Sequence, residues 1–383
     1  MIYDAAIIGA GPAGSAASFF LSQRGYKVIV IERNRKVSSI CGEYVPDPSS
    51  LGIGGEVGSS YSEFFKPFIV NVLRRISLRI FGRSFKIDYL GYSIRRDDMI
   101  EDKLKRAQDL GARIKLGENF ITLKREKVYK ILTNRGEYLA KYVIGADGFI
   151  SRISRFLNGE RMDPDDVSIA FSLETELSVE DPSEMELIFD DEVAPGAYAW
   201  IIPRGDSIAN VGLGVRCSLI EMNPLDYMRR FLSILGIEAQ YLRGRFVPVG
   251  GLTKILAKDG IFLLGDAAGM VIPSNGGGIH NAVISAYLLS KSLESELPEE
   301  RYISYVNKYI RREVEAGLTY RRAADILLRF GILKKTIGLL PRSIVSEAIT
   351  GRRGRYYPLL RIISYLYPLS RGRGGSRSTC KSA

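Results

Sequence analysis

The chain has 383 residues, of which 46% are hydrophobic and 25% are charged, a balance that excludes general disorder and predicts roughly two to three folded domains. No apolar run approaches the ~20 residues of a membrane-spanning helix, and the chain starts directly with a strand pattern, so we expect neither an integral membrane protein nor a cleaved secretion signal. Three dispersed cysteines and one histidine argue against an iron–sulfur cluster and a multi-histidine metal site, so we expect no metal and a bound cofactor for the chemistry.

The net charge of +11 is concentrated near the C-terminus. Residues 301–383 carry 18 Lys and Arg against 4 Asp and Glu, a balance of +14, whereas the residues before them carry 36 against 39. This asymmetry predicts an anionic partner for the C-terminal region, either a membrane surface or a nucleic acid. The body of the protein is close to neutral.

The first predicted elements form a βαβ unit. A short buried strand at residues 3–8 is followed by a glycine-rich turn, a helix that ends at Gly25 and a second apolar strand at residues 27–32. Near-continuous apolar strands are typical of a parallel sheet that is covered on both faces. The pattern then changes to alternating, antiparallel strands at residues 69–92 and an amphipathic helix at residues 96–111.

Further along the chain, the pattern predicts both parallel and antiparallel strands. Apolar strands of the parallel type return at residues 142–147 and 261–266. Between them, alternating patterns predict antiparallel strands at residues 168–176, 186–189, 199–202 and 209–215. A helix is predicted near residues 224–235, and after Pro298 the chain has the pattern of basic helices.

These elements predict an α/β protein in which a doubly wound, Rossmann-like dinucleotide-binding domain is interrupted by an antiparallel substrate-binding domain and followed by a C-terminal helical cap. The predicted boundaries are residues 1–68, 92–160 and 257–298 for the dinucleotide-binding domain, 69–91 and 161–256 for the substrate-binding domain, 299–370 for the basic helical region and 371–383 for a disordered tail.

The motif GAGPAG at residues 9–14 follows the first strand and opens the first helix, and Glu32 ends the next strand. Gly9 permits the tight turn, Gly11 lets the backbone approach a pyrophosphate, and Gly14 allows close packing of helix on strand. The helix N-terminus favours phosphate, and Glu32 is placed to accept hydrogen bonds from a ribose. This context favours a dinucleotide site over a chance glycine-rich turn.

Two later segments point to the kind of dinucleotide. They are GADG at residues 145–148 and GDAAG at residues 265–269, the latter followed by GGGI at residues 276–279. With these motifs, residues 1 to about 300 resemble the superfamily of FAD-dependent hydroxylases and reductases. The resemblance implies FAD as the cofactor.

The resemblance also implies roles for individual residues. Asp266 is expected to bind the ribityl chain of the flavin, and Asp147 belongs to the second motif of the FAD site. Gly278 and Ile279 are expected to present backbone N–H groups to the pyrimidine side of the flavin. A helix N-terminus there stabilises an anionic reduced flavin, whereas the alternative is a merely flexible loop.

A narrower likeness concerns PGAYAWIIP at residues 195–203, which is similar to the PxxYxWxFP pattern of geranylgeranyl reductases. Ile202 departs from that pattern, which has Phe there, and this puts the width of the substrate channel in doubt. The segment CGE at residues 41–43 resembles the Cys-Gly segment that these reductases place beside the flavin. Arg96 matches an arginine that the family directs at the cofactor.

The resemblance therefore implies three groups of site residues. The cofactor-binding residues are Gly9, Gly11, Ala13, Gly14, Glu32, Arg33, Cys41, Gly42, Arg96, Asp147, Asp266, Gly278 and Ile279. The catalytic residues are Cys41, Tyr198 and Trp200, and the substrate-binding residues are Pro195, Tyr198, Trp200 and Pro203.

Each candidate has a plainer alternative. Tyr198 and Trp200 fall on one face of a strand and could fill a packed core. Cys41 could be a small buried hydrophobic residue. His280 follows the loop expected to face the flavin, but it could equally be an ordinary residue at a helix start, and no side chain identifies itself as an acid.

The expected reaction is saturation of C=C bonds in the geranylgeranyl chains of membrane lipids or their precursors, with NADPH or ferredoxin as electron donor, in an archaeal organism. Two alternatives stay open: an FAD-dependent monooxygenase of the aromatic or polyprenyl hydroxylase type, which shares the FAD motifs, and an RNA-binding flavoprotein.

The basic helices with aromatic and aliphatic faces suit the surface of an anionic bilayer, with residues 342–361 as the expected contact. The alternative is a helical cap with a solvated basic face. We expect the protein to be cytoplasmic and peripheral on the inner face of the cell membrane, and we expect no nucleic acid partner.

Overall fold

The computed structural model describes residues 1–37, 41–159, 163–239 and 241–367, so the tail predicted to be disordered at residues 371–383 lies outside the described residues. The strands are β1 (Ile2–Ile8), β2 (Val28–Glu32), β3 (Tyr44–Pro46), β4 (Ile69–Ile80), β5 (Arg83–Ile94), β6 (Arg113–Leu116), β7 (Phe120–Arg125), β8 (Tyr129–Thr133), β9 (Glu137–Gly145), β10 (Val167–Glu176), β11 (Glu184–Phe189), β12 (Ala199–Pro203), β13 (Ile208–Arg216), β14 (Gly244–Pro248), β15 (Ala257–Lys258) and β16 (Ile261–Leu263).

The helices are α1 (Pro12–Gln23), α2 (Pro48–Leu51), α3 (Gly55–Phe65), α4 (Arg96–Asp109), α5 (Arg152–Asn158), α6 (Pro224–Ile234), α7 (Ile279–Ser292), α8 (Pro298–Val306), α9 (Arg312–Arg329), α10 (Ile332–Thr336), α11 (Arg342–Thr350) and α12 (Tyr357–Tyr365). A π-helical turn, Asn307–Arg311, joins α8 to α9.

The first sheet is the predicted doubly wound sheet. Its strand order is β15-β16-β9-β1-β2-β6, in which the run from β16 to β6 is parallel, and a β7–β8 hairpin extends β9 on one side. Strand β2 is buried along its whole length, as its unbroken apolar sequence predicts. Helix α1 packs between α4 and α7 against this sheet, so the loop after β1 lies at the carboxyl edge of the parallel strands.

The second sheet is antiparallel, as predicted, with one exception. Its order is β14-β10-β13-β12-β11-β4-β5-β3, and β11 runs parallel to β4. The long β4–β5 hairpin and β3 come from early in the chain, whereas the strands from β10 to β14 come from its middle. The sheet therefore depends on contacts between distant segments, and the domain boundaries given above stay a prediction.

The C-terminal helical cap is present, and it packs on both sheets. The hydroxyl of Tyr302, on α8, donates to the backbone oxygen of Leu263 in the first sheet at 2.7 Å. On α9, Arg321 forms an ion pair with Asp166 at 2.6 Å, and Asp325 forms one with Arg216 of β13. All four of these charged side chains are buried or nearly so. Across the described ranges, no helix is long and apolar enough to span a bilayer.

The Asp325–Arg216 pair yields a stability prediction. Asp325→Ala leaves the Arg216 charge buried without its partner, so we expect the free energy of unfolding to fall by about 3–5 kcal/mol. The matched control is Asp226→Ala on α6, which removes an exposed pair with Arg229 and should cost less than about 1 kcal/mol. Denaturant unfolding of the three proteins makes the comparison, and equal losses in both variants would contradict it.

Candidate active site

A cavity of about 450 Å³ lies where the carboxyl edge of the first sheet, one face of the second sheet and the C-terminal helices meet. Its walls come from three parts of the chain. The glycine-rich loop contributes Gly11 and Ala13, the second sheet contributes Tyr198 and Trp200, and the cap contributes a row of aliphatic side chains, Leu333, Ile337, Leu340, Ile344, Val345 and Ile349. The cavity thus joins a polar, glycine-lined end to an apolar one.

The glycine-rich loop is shaped for close backbone approach. Gly9 has a φ of +101°, and a Cβ there would lie 2.3 Å from the backbone oxygen of Ala146. A Cβ on Gly14 would lie 2.0 Å from the oxygen of Gly9, so helix α1 touches the turn itself. At Gly11, by contrast, no atom lies within 4 Å of a built Cβ, and this residue lines the cavity. The open space lies at the N-terminus of α1, as an anionic diphosphate requires.

Glu32 holds this loop in place. Its two carboxylate oxygens accept hydrogen bonds from the backbone N–H groups of Ala10 at 2.9 Å and Asn34 at 2.8 Å. Only 7% of Glu32 is exposed. Each oxygen keeps a second lone pair, so a ribose contact by Glu32 stays a prediction. The neighbouring Arg33 is exposed.

The two later aspartates differ in their surroundings. Asp147 accepts hydrogen bonds from the Ser151 hydroxyl at 2.5 Å and the Arg152 N–H at 2.7 Å, which caps α5. Burial raises the pKa of Asp147 above its usual value, against the effect of those hydrogen bonds. Although Ala146 and Gly148 line the cavity, Asp147 itself is not among the lining residues, so direct contact with a cofactor stays a prediction.

Asp266 does line the cavity, together with Gly278 and Ile279. Its carboxylate accepts a hydrogen bond from the Arg245 guanidinium at 3.0 Å. Gly278 precedes the first residue of the 14-residue helix α7, whose first turn has no side-chain cap. The free N–H groups of this turn are available to an anionic or polar group in the cavity.

The segment at Cys41 is tied to the second sheet by a residue that the sequence reasoning missed. Asn210, on β13, donates to the backbone oxygen of Cys41 at 2.9 Å and accepts from the indole N–H of Trp200, also at 2.9 Å. The hydroxyl of Ser172 donates to the same Cys41 oxygen at 3.1 Å. An asparagine in the otherwise apolar strand IANVGLGV is the signal that could have identified it.

Charged groups surround the Cys41 thiol. Its sulfur accepts a long hydrogen bond from the Glu43 N–H at 3.3 Å. Arg96 is almost fully buried, lines the cavity and contacts Asp97 at 2.5 Å. Burial opposes the charge of Arg96, but the electrostatic effect of the neighbouring Cys41 and Asp97 side chains outweighs it and raises the pKa of Arg96. The pKa of Glu43 is raised by burial, although the adjacent Arg204 lowers it.

Tyr198 and Trp200 stand on the cavity wall with their ring centroids 5.9 Å apart. Burial raises the pKa of Tyr198, whose hydroxyl donates to the backbone oxygen of Asn275 in the loop before α7. Trp200 fits against the strand because its partner in the sheet register is Gly212, where a Cβ would lie 2.4 Å from the indole. The two rings therefore pack against their neighbours and also line the cavity.

The two prolines of the segment lie elsewhere. Pro195 and Pro203 are not among the cavity-lining residues, and their carbonyl oxygens accept hydrogen bonds from the N–H of Arg216 and the amide of Asn71. Ile202, where the resemblance has Phe, lines the cavity and lies against Gly42, at which a Cβ would be 3.0 Å from the isoleucine. Contact of either proline with a substrate stays a prediction.

Comparison with known proteins agrees with this arrangement. Residues 166–243 match the family model described as the geranylgeranyl reductase catalytic domain, and residues 7–61 match a model of an NAD(P)-binding Rossmann-like domain. The chain is 31% identical over 326 residues to a digeranylgeranylglycerophospholipid reductase of Methanococcus vannielii, with 79% of this chain and 80% of the relative covered. A relative of that name from Methanocaldococcus jannaschii is 28% identical over 352 residues, with 85% and 87% covered.

Two solved structures share the fold. A geranylgeranyl bacteriochlorophyll reductase-like protein from Thermoplasma acidophilum superposes with a TM-score of 0.77 at 23% identity, covering 96% of this chain and 99% of that one. Aklavinone-11 hydroxylase in complex with FAD and aklavinone superposes at 0.64 and 16% identity, covering 84% and 68%.

The two-sheet fold and the glycine-lined cavity define an oxidoreductase with a Rossmann-like dinucleotide-binding domain. The identity of 31% over four-fifths of a curated relative is more specific. The chain belongs to the geranylgeranyl reductase family.

The open space at Gly11 allows a direct test of the cofactor site. Gly11→Ala should change the stability of the cofactor-free protein by less than about 1 kcal/mol, because its φ of −66° suits alanine and no atom obstructs the new methyl group. If the loop holds the diphosphate of FAD, the affinity of this variant for FAD should fall at least ~10-fold, because the new methyl group would take up that space.

Quenching of flavin fluorescence measures the affinity. Gly136→Ala is the matched control, since its Cβ also meets no atom but its position in the β8–β9 turn is remote from the loop. If Gly11→Ala binds FAD as tightly as this control, the loop does not hold the diphosphate.

Proposed function

We propose that this protein is an FAD-dependent reductase that saturates C=C bonds in the geranylgeranyl chains of membrane lipids or their precursors. The observation that carries the proposal is the continuity of one cavity from the glycine-rich loop, past Cys41 and Trp200, to the aliphatic side chains of the cap. A dinucleotide and a long apolar chain need such a combination of surfaces. Membership of the family supports the same reaction.

The residues present fit FAD. The cradle at Gly9 and Gly14 and the space at Gly11 suit the diphosphate, while Asp266 and the first turn of α7 suit the flavin end. When bound and reduced, FAD supplies the hydride that the reaction needs. The electrons come from NADPH or from ferredoxin in this proposal.

The chain's own residues orient the substrate and exclude water. The Asn210 amide fixes the Trp200 ring and the Cys41 backbone in one arrangement, so a polyprenyl chain that lies against them has a defined position. We propose Cys41, Tyr198 and Trp200 as the residues that touch the reacting part of the chain. An isolated alkene offers no charged handle, so such positioning is the largest contribution these side chains can make.

The cap also suits a lipid surface. Leu359 and Ile362 on α12 and Leu366 at its C-cap follow one face of the helix and are 58%, 65% and 51% exposed. Leu360 of the same helix lines the cavity, and the nearby arginines 355 and 361 are exposed. We propose that this face enters the interface of an anionic bilayer, on the cytoplasmic side of the cell membrane, so that a lipid chain can reach the cavity.

An anaerobic assay tests the proposed reaction. The purified holoprotein is reduced with dithionite and given a geranylgeranyl lipid, and we expect mass spectrometry to show stepwise gains of two hydrogens for each double bond. NADPH and reduced ferredoxin then replace dithionite to identify the donor. Added oxygen in the product, when air and NADPH are supplied, would instead indicate the monooxygenase.

Vesicle binding tests the membrane proposal. A variant with Leu359→Ser, Ile362→Ser and Leu366→Ser should bind anionic phospholipid vesicles at least ~10-fold more weakly, since three aliphatic side chains no longer enter the interface. Ile234→Ser, at the end of α6 and 64% exposed, is the control and should not change binding. Co-sedimentation measures both. Unchanged binding of the triple variant, or stronger binding to RNA than to vesicles, would contradict the proposal.

A further inference from the structure

A buried imidazole and a buried carboxyl group lie beside each other next to the cavity. His280, in the first turn of α7, lines the cavity, and Glu313 is in the first turn of α9. Nε2 of His280 and Oε2 of Glu313 are 3.9 Å apart, and the two side chains are 2% and 13% exposed. The distance is too long for a direct hydrogen bond but short enough for one proton to be shared after a small closure or through one water.

Neither of these two atoms has a hydrogen-bond partner among the residues that the structure describes. The same holds, within the described ranges, for both amide atoms of Asn281, the next residue on α7, and for the hydroxyl of Ser274. Buried polar atoms without partners are uncommon in folded proteins and call for an explanation. Here Ser274, His280 and Asn281 lie in, or directly after, the loop that is expected to face the flavin.

The neighbouring groups decide the charge of the pair. Burial lowers the pKa of His280 to about 4 and raises the pKa of Glu313 to about 8. Tyr61 on α3 and Tyr89 on β5 lie within electrostatic reach of Glu313, and Arg352, after α11, lowers its pKa in part. At pH 7 the imidazole is therefore a neutral acceptor, and the carboxyl group still carries its proton.

We infer that Glu313 and His280 form a proton-delivery pair that supplies the proton consumed when a C=C bond is saturated. The inference rests on the proposed function, which needs one hydride and one proton for each double bond. Its structural basis is the adjacency of a cavity-lining imidazole and a buried acid whose facing atoms have no other partner in the described part of the chain.

In the proposed step, one proton passes from Glu313 through His280 to the alkene. The O–H bond of Glu313 breaks as its proton passes to Nε2 of His280, and the N–H on the other ring nitrogen gives its proton to one alkene carbon. The π electrons of the alkene form that C–H bond, and the hydride forms the second one on the neighbouring carbon. The imidazole ends neutral as its other tautomer. Before the next turnover the Nε2 proton of His280 returns to the Glu313 carboxylate and the other ring nitrogen takes a proton from water, which restores both starting forms.

His280 is the only histidine in the chain, so it gives a single set of imidazole resonances. In the oxidised holoprotein labelled with ¹⁵N-histidine, we expect the shifts of a neutral ring at pH 7 and an inflection near pH 8 as Glu313 ionises. Glu313→Gln should remove the inflection. Glu315→Gln, two residues further along α9 with a side chain that is 47% exposed, should retain it.

A flat wild-type titration around pH 8 overturns the inference, and this result does not depend on any variant folding. An inflection that survives in Glu313→Gln also overturns it, because the titrating group is then a different one. If Glu313→Gln does not fold, Glu313→Asp serves in its place: it keeps an acid and should show the inflection at a displaced pH.

Single-turnover reduction of a geranylgeranyl lipid gives a second readout. The wild-type rate constant should fall as the pH rises through about 8, since the acid form of Glu313 is lost. Glu313→Gln should be about 100-fold slower and independent of pH in this range, with unchanged FAD affinity. Equal rates in Glu313→Gln and Glu315→Gln overturn the inference. Failure of every protein to reduce the lipid contradicts the proposed function instead, and the NMR titration still decides on the pair.

Discussion

The side-chain amide of Asn210 connects the two halves of the cavity, and the geometry of the site depends on it. Its oxygen accepts from the Trp200 indole and its N–H donates to the backbone of Cys41, each at 2.9 Å. Trp200 belongs to the second sheet, whereas Cys41 lies in the connection that leaves the first sheet. Since Asn210 is only 4% exposed, loss of either bond would leave a buried polar group unsatisfied. One side chain therefore sets the distance between the apolar wall and the dinucleotide end.

The buried arginine side chains near the cavity form ion pairs. Arg204, Arg216 and Arg321 have side chains that are 8%, 6% and 3% exposed, and each contacts a carboxylate. Buried cations of this kind are costly unless they are paired with an anion. The carboxylates that pair with these arginines are therefore required at their positions. Arg216 and Arg321 tie α9 to other parts of the fold, which makes the cap a permanent wall of the cavity. Arg216, Arg321 and Asp325 themselves line the cavity, beside the aliphatic side chains of the cap.

Local motifs could be predicted from the sequence, and contacts between distant segments could not. The loop at residues 9–14 was predicted because its turn, helix start and glycine spacing are all determined within about 20 residues. Asn210 was missed because its partners lie 10 and 169 residues away along the chain. Contact of Pro195 with the substrate stays a prediction, because sequence pattern alone does not show which residues of a turn line a cavity. The parallel pairing of β11 with β4 was also missed, because the hydrophobic pattern of a strand does not specify which distant strand it pairs with.

In the proposed function the cap meets two environments, the cavity and a lipid surface, and its composition suits both. Its helices supply the aliphatic side chains Leu333 and Leu340 to the cavity, while Leu359 and Ile362 remain exposed. A segment with apolar groups on two sides needs charged residues to remain soluble. Residues 301–383 provide them, with a charge balance of +14. Positive charge is also the sign that an anionic bilayer attracts. In the proposed function, the basic character of the C-terminal region and its role as a cavity wall serve one requirement: an apolar chain must pass from a lipid surface into a protein interior.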